Sequence, residues 1–470
     1  MKIKSISFYL GLFCFPISIL SFINILYSSY FDYFLSIESY FITLAISFIF
    51  GLALYHYGKK ADKRIDFIDQ LILIILVYLL VGFLICIPFY LSNFQVTFIS
   101  ALFESVSGLT GTGFSSFKNI KYLDPTLILW RSSSQWIGGL YFLYFLTLLF
   151  SKKNFDYKMT TFTYSGENNF KSEENIRNNL LKIFIFYSIL SFICLSLLNI
   201  SGVRLFNSLN LTMTLISSGG FLPLDNLNEI IKSNFQKIIL LIFLLLSYLN
   251  FFIIFNMFNK NIFLNRHKED FYLIVLVIVF VILVYLNNLT GFDAAINVAS
   301  SLANSGITLV KTDYNLSLFF LFLTIVGGSI MSNTSGIKLC RFYILLKITS
   351  AEIIRLISPN SIINKTIFSS ENKITDEGIK ISFLIFISFF LSLFILSCFL
   401  VLDEIDFESS FKLSILALTN TVNSEMFSLP NLNFENMLTS SKISLIIFMI
   451  IGKIELISIF LIFKKIFFKD

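Results

Sequence analysis

Apolar runs of two lengths alternate with short polar interruptions along this chain. The long runs lie near 5–28, 38–57, 68–91, 126–150, 180–200, 235–258, 271–289, 316–349, 379–402 and 441–467. Each reaches the ~20 residues that a helix needs to cross a bilayer. The short runs, near 98–109, 205–216, 292–303 and 407–419, cannot cross and suit re-entrant helices that stop partway and turn back. A polar hairpin follows each: LTGTGF (Leu109–Phe114), SSGGF (Ser217–Phe221), ANSGI (Ala303–Ile307) and TNTVNS (Thr419–Ser424). From the third long run onward, the order helix, short helix, hairpin, helix recurs through the chain. The pattern predicts an all-α polytopic membrane protein. It has about ten transmembrane helices and four re-entrant pore loops in a pseudo-fourfold arrangement around one pore.

The repeat is also metrical. Ile99, Phe206 and Phe292 open equivalent short helices and precede Gly113, Gly220 and Gly306 by one common interval, and Phe407 opens the fourth. The expected divisions are two leading helices (1–60) and four repeats (61–158, 159–265, 266–370 and 371–470).

Composition agrees with a membrane protein: 56% of residues are hydrophobic, 14% are charged, and mean hydropathy is +0.82. The net charge of +6 is no nucleic-acid signature, because the basic residues gather in loops between apolar runs. Lys2 and Lys4, Lys59, Lys60, Lys63 and Arg64, Lys152, Lys153 and Lys158, and clusters in 260–268, 355–373 and 464–469 fall on one side if every long run crosses. The opposite side carries Asp403, Glu404, Asp406 and Glu408. The positive-inside rule then puts both termini in the cytoplasm. The first apolar run continues to about Tyr27 without a small-residue cleavage site, which reads as a retained helix rather than a signal peptide.

Cys14, Cys86, Cys194, Cys340 and Cys398 are isolated, and the histidines are His56 and His267. Neither a disulfide framework nor a zinc or histidine metal site is expected. There is no Walker A or dinucleotide fingerprint after a strand, and no clustered carboxylates or nucleophile–base pair at membrane depth. An enzyme is therefore not expected.

The hairpins carry the chemistry. A cation filter needs carbonyls turned toward an axis, and glycine takes the positive-φ backbone involved at no steric cost. Thr110, Thr112, Ser217, Ser218 and Ser305 supply hydroxyls that back the loop. The short helices aim their C-terminal ends at the pore, where the partial negative charge favours a cation. Glu104, on the first short helix, is expected to be a hydrogen-bond acceptor in packing rather than an ion ligand. The eighth long run is interrupted by Gly327-Gly328-Ser329 and by Ser332-Asn333-Thr334-Ser335-Gly336. Such backbone is tolerated at membrane depth only where protein or water satisfies it, which suits a flexible constriction. Lys338 and Arg341 follow it, reading either as cytoplasmic-end anchors or as residues that face the path or brace the loop. Lys453 and Glu455 interrupt the last run, either as a structural pair or with Lys453 as an electrostatic barrier.

These residues resemble the Trk/Ktr/HKT superfamily of potassium transporters, and within it the TrkH-type members. The motifs are LFESVSGLTGTGF (102–114), LWRSSSQWIGGL (129–140) and VGGSIMSNTSGIKLCRFYILLK (326–347), with further similarity at 64–74, 247–251, 417–421 and 451–456. The resemblance covers nearly the whole chain. It implies potassium uptake across the bacterial inner membrane, a homodimer, and a cytosolic TrkA-like regulatory subunit that binds nucleotide (NAD or ATP). This chain itself carries no cofactor, and potassium is the substrate. The resemblance puts the filter on Thr110, Gly111, Thr112 and Gly113, on Ser217, Ser218, Gly219 and Gly220, on Asn304, Ser305 and Gly306, and on Asn420, Thr421 and Val422. It puts the gate on Gly327, Gly328, Ser329 and Gly336, with Lys338, Arg341 and Lys453. At Lys453 the family usually carries arginine; lysine keeps the charge and loses the planar fork.

Repeat four departs from the pattern: Val422 stands where the family has glycine, and no glycine occurs between Gly378 and Gly452. A β-branched residue disfavours positive φ, so this quarter of the filter is expected to be distorted. Changed filter glycines are a source of sodium permeability in the superfamily. The alternatives are thus a sodium-permeable or mixed monovalent-cation transporter, or a weakly conducting homologue. An ion-coupled transporter with alternating access and a non-conducting scaffold are the remaining classes.

Overall fold

Apolar length decides which segments become long helices, and polar interruptions decide where they stop. The computed structural model describes residues 2–33, 37–62, 65–150, 173–251, 268–287, 290–310, 312, 314–359, 366–368, 374–429 and 434–454. The leading helices are α1 (Ile3–Tyr30) and α2 (Ile37–Gly58). Repeat one holds α3 (Phe67–Tyr90), α4 (Phe98–Thr110) and α5 (Pro125–Phe150). Repeat two holds α6 (Glu173–Ile200), α7 (Leu205–Ile216) and α8 (Asn234–Tyr248). Repeat three holds α9 (Glu269–Tyr285), α10 (Gly291–Leu302), α11 (Tyr314–Val326) and α12 (Leu339–Ile357). Repeat four holds α13 (Asp376–Leu402), α14 (Phe407–Thr419) and α15 (Thr439–Ile454).

Among the described residues, α1, α2, α3, α13 and Leu180–Ile200 of α6 are long and apolar enough to cross a membrane by length and composition. Helix α5 has comparable length but carries the polar run Arg131–Gln135, all of it buried. Helix α8 stops at Tyr248, where Leu249 turns to extended backbone. The eighth long run splits into α11 and α12 around its glycines. Lys63, Arg64, Lys152, Lys153, Lys158, His267 and Glu455, and most of the basic clusters in 260–268, 355–373 and 464–469, lie outside the described residues.

The four short helices end the same way because each has a stop signal at one place. Two of their N-termini carry a side-chain cap: Thr97 accepts from Ser100 N, and Asp406 accepts from Ser409 N. Neighbouring repeats interlock. Helix α4 packs on α15, α7 on α5, α10 on α8, and α14 on α11. The ring therefore closes in the order one, two, three, four, and repeat two lies opposite repeat four. In lipid no hydrophobic drive pulls helices together, so small residues at contacts matter. Gly138 of α5 and Gly452 of α15 play one role in two repeats. A methyl group on Gly138 would lie 2.0 Å from Leu109 O, and one on Gly452 would lie 2.2 Å from Leu418 O. Each glycine lets a long helix meet the backbone at the end of its short helix. Helices α1 and α2 pair beside this ring, against α3 and α5.

Candidate functional site

The ends of α4, α7, α10 and α14 form one repeated turn. One or two residues past each helix end stands a left-handed residue: Gly111 (φ +84°) and Asn420 (+50°) directly after α4 and α14, Ser218 (+57°) and Asn304 (+56°) one residue later after α7 and α10. In each, that residue's N–H donates to the carbonyl three residues back, on Gly108, Leu215, Ser301 and Ala417. In three of them the next N–H reaches five residues back: Gly219 to Thr214, Ser305 to Ser300 and Thr421 to Leu416. This is Schellman-type closure, which leaves a helix C-terminus with its remaining carbonyls pointing onward. Asparagine serves at the left-handed position because it is the non-glycine residue that best tolerates it.

The third residue of each turn differs between opposite pairs. Gly113 (φ +82°) and Gly306 (φ +66°) are left-handed, whereas Gly220 and Val422 are not. The expectation that Val422 meets a positive-φ demand is therefore corrected. Repeats two and four place their third residues in backbone open to any L-residue, and the left-handed demand in repeat four falls on Asn420.

Hydroxyls tie these turns to their helices and to each other. Ser107 Oγ donates to Phe114 O (2.7 Å) and Thr214 Oγ1 to Phe221 O (2.7 Å), at equivalent places in repeats one and two. Thr110 and Thr112 share a hydrogen bond of 2.7 Å, and Thr419 and Thr421 one of 2.9 Å. Ser300 and Ser305 share one of 3.1 Å, and Ser217 Oγ donates to Met213 O at 2.8 Å. Between repeats, Asn420 Nδ2 donates to Thr112 Oγ1 (3.0 Å) and Asn304 Nδ2 to Thr421 Oγ1 (3.3 Å). Among the described residues, Ser218 Oγ, Asn304 Oδ1 and Asn333 Oδ1 are buried without a hydrogen-bond partner.

Two residues behind the turns went unassigned from sequence. Arg131 Nε donates to Glu104 Oε1 at 2.7 Å, with both side chains buried, and its guanidinium stacks 4.1 Å from the Phe221 ring centre. Glu104 also accepts from Ser116 N (2.7 Å) and from the hydroxyls of Ser115 and Ser116 (3.1 Å each). One carboxylate thus holds the descending limb of the first hairpin. Gln135 Oε1 accepts from Phe221 N at 3.2 Å and bounds Gly219, where a methyl group would lie 2.3 Å from it. The signal for Arg131 was a cation in an apolar run beside a lone carboxylate on a short helix.

The segment between α11 and α12 lies beneath the turns. Gly327 (φ +64°), Gly336 (φ +80°) and Lys338 (φ +77°) bend it. Ser329 N donates to Tyr248 O (2.9 Å) and Ser329 Oγ to Glu269 Oε2 (3.1 Å), while Cys340 N donates to Glu269 Oε1 (3.2 Å). Gly328 N donates to Thr334 Oγ1 at 3.2 Å. Asn333 Nδ2 donates to Ile216 O (3.1 Å) at the end of α7, and Ser335 Oγ donates to Asn420 Oδ1 (2.8 Å). Lys338 Nζ folds back onto Thr334 Oγ1 at 2.8 Å, Thr334 O and Ser332 Oγ at 3.3 Å. Arg341 is buried and donates to Ile337 O at 3.5 Å. From the far side, Lys453 Nζ donates to Asn333 O at 2.8 Å and sits 4.7 Å from the Phe142 ring centre. The loop is thereby braced to repeats two, three and four at once.

A family model named TrkH, described as a cation transport protein, matches residues 36–284. An uncharacterized cation transporter of Methanocaldococcus jannaschii is 28% identical over 90% of this chain and 87% of that protein. The Trk system potassium uptake protein TrkG of Escherichia coli K12 is 26% identical over 93% of this chain and 92% of that protein. The TrkH protein of the same organism is 23% identical over 92% of each. The crystal structure of the potassium transporter TrkH from Vibrio parahaemolyticus matches with a TM-score of 0.87 and 19% identity over 98% of each chain. That likeness gives the fold, and these relatives are transporters rather than enzymes.

Proposed function

The chain belongs to the TrkH family of cation transport proteins, and on that premise we propose that it takes up potassium across the bacterial inner membrane through its four turns. The observation that carries this reading is the common left-handed closure at Gly111, Ser218, Asn304 and Asn420. It aims four helix C-termini, with their partial negative charge, at one place. The unpartnered buried oxygens of Ser218 and Asn304 suit a path that water or a cation fills. In this reading the filter comprises Thr110–Gly113, Ser217–Gly220, Asn304–Gly306 and Asn420–Val422. The loop Gly327–Gly336 is the gate, and Lys453 is the bolt that holds it through Asn333. Both termini are cytoplasmic, two copies form a homodimer, and a TrkA-like regulatory subunit binds the nucleotide that governs the gate. The assembly rests on resemblance to the Trk system.

The inside-negative potential drives each entering charge by about 2.3 kcal/mol per 100 mV. The test is ion flux into liposomes holding the purified chain. Potassium influx should rise with imposed inside-negative potential and exceed sodium influx. Flux that requires a second ion in fixed stoichiometry, or no cation flux from either the wild type or Val422→Gly, would overturn the reading. Because Val422 replaces the fourth filter glycine, a second reading is relaxed selectivity; sodium influx equal to potassium influx selects it.

A further inference from the structure

The third residues of the four turns meet at one point, and there the fourth repeat contributes a side chain. A methyl group built on Gly220 would lie 2.4 Å from Val422 Cβ and 2.9 Å from its Cγ1. One on Gly113 would lie 2.8 Å from Gly220 Cα and 3.0 Å from Val422 Cβ. One on Gly306 would lie 2.7 Å from Val422 O and 3.0 Å from Val422 Cγ1. The isopropyl group of Val422 is thus in van der Waals contact with the backbone of both neighbouring repeats and of the repeat opposite. A side chain that touches all three others stands on the axis they share. Val422 is also half-buried, whereas the other residues at the first three positions of the turns are buried, so this layer is the one with partial access to solvent.

We infer that Val422 is an apolar seal at the centre of the ion path, which an ion passes only when the side chain is displaced. The inference rests on the reading of these turns as that path. It differs from backbone distortion, because Val422 has no left-handed backbone to strain. A methyl group offers a dehydrated cation no oxygen, and an apolar constriction excludes water as well. Rotation about χ1 does not clear the axis easily, since a β-branched side chain replaces one methyl with another. Passage through this layer is then slower than through a layer of carbonyls alone, and side-chain volume sets the rate.

Potassium flux into liposomes is measured for the wild type and for Val422→Gly, Val422→Ala and Val422→Ile. The expected order is Gly above Ala above wild type above Ile, with Val422→Gly at least tenfold faster than wild type. Equal rates across a conducting series would overturn the seal and leave the transport reading standing. If every variant is silent, the transport reading and the seal fail together. A second readout does not depend on flux. Val422→Cys is made in a Cys398→Ser background, because Cys398 is exposed while Cys14, Cys86, Cys194 and Cys340 are buried. A membrane-impermeant cationic thiol reagent should label this variant in intact proteoliposomes and leave the background protein unlabelled. No labelling of the folded variant would overturn the axial position of the side chain.

Discussion

Arg131 and Glu104 bury opposite charges 2.7 Å apart within the first repeat, and removal of one strands the other. Such a loss costs about 3–5 kcal/mol, whereas replacement of both partners by apolar residues of similar volume is often neutral. Arg131→Met should lower the unfolding midpoint in detergent sharply, and Glu104→Leu/Arg131→Met should recover most of it. Recovery would be incomplete, because Ser115 and Ser116 also lose their acceptor. Equal midpoints for the single variant and the wild type would show that the pair holds nothing. Sequence exposed this pair only halfway: each charge stood out in an apolar run, but 27 residues separate them, and only the fold of the hairpin brings them together. Val422 shows the converse. The missing glycine is legible in the sequence, but the left-handed backbone it suggests does not occur at this position. Left-handed conformation falls on the first residue of every turn and on the third in only two of them.

At the scale of elements, α15 is anchored at both ends by groups from elsewhere. At its start, Asp403, just past α13, accepts from Ser440 Oγ (2.6 Å) and Ser441 Oγ (2.5 Å). The Ser440 hydroxyl first, then that of Ser441, holds the Asp403 carboxyl below its ordinary range. A carboxyl depressed on folding stabilises fully above its unfolded pKa and loses that contribution as pH falls through the folded value. Asp403→Asn should therefore lower the unfolding midpoint at neutral pH, with the gap to wild type closing as pH drops below the usual carboxylate range. A gap that stays constant with pH would assign the effect to something other than charge. At its other end, α15 holds the loop through Lys453 and Asn333. Hydrogen bonds to charged groups contribute about 1.5–3 kcal/mol. Lys453→Met should raise potassium flux about tenfold if that bond keeps the loop closed, and unchanged flux would remove Lys453 from the gate.

For the whole molecule, the cyclic packing of α4 on α15, α7 on α5, α10 on α8 and α14 on α11 makes one chain a complete ring. The proposed homodimer therefore adds nothing to the closure of this ring. The detergent-solubilised protein is expected at twice the 54.0 kDa of one chain by light scattering, and a monomeric mass would set the homodimer aside. Sequence by itself determined that the chain is all-helical and where its apolar runs become helices, since a helix runs as far as the apolar stretch does. It also determined the position of the four turns, since one interval separates each short-helix start from its glycine in three repeats. The broken eighth run was equally legible, because glycines and hydroxyls in hydrocarbon must mark an interruption. Tertiary structure alone decided how the loop is braced, which turn residues are left-handed, and that the Val422 side chain reaches Gly220 across the ring. These contacts join residues from different repeats, and local patterning carries no information about what converges on a shared axis.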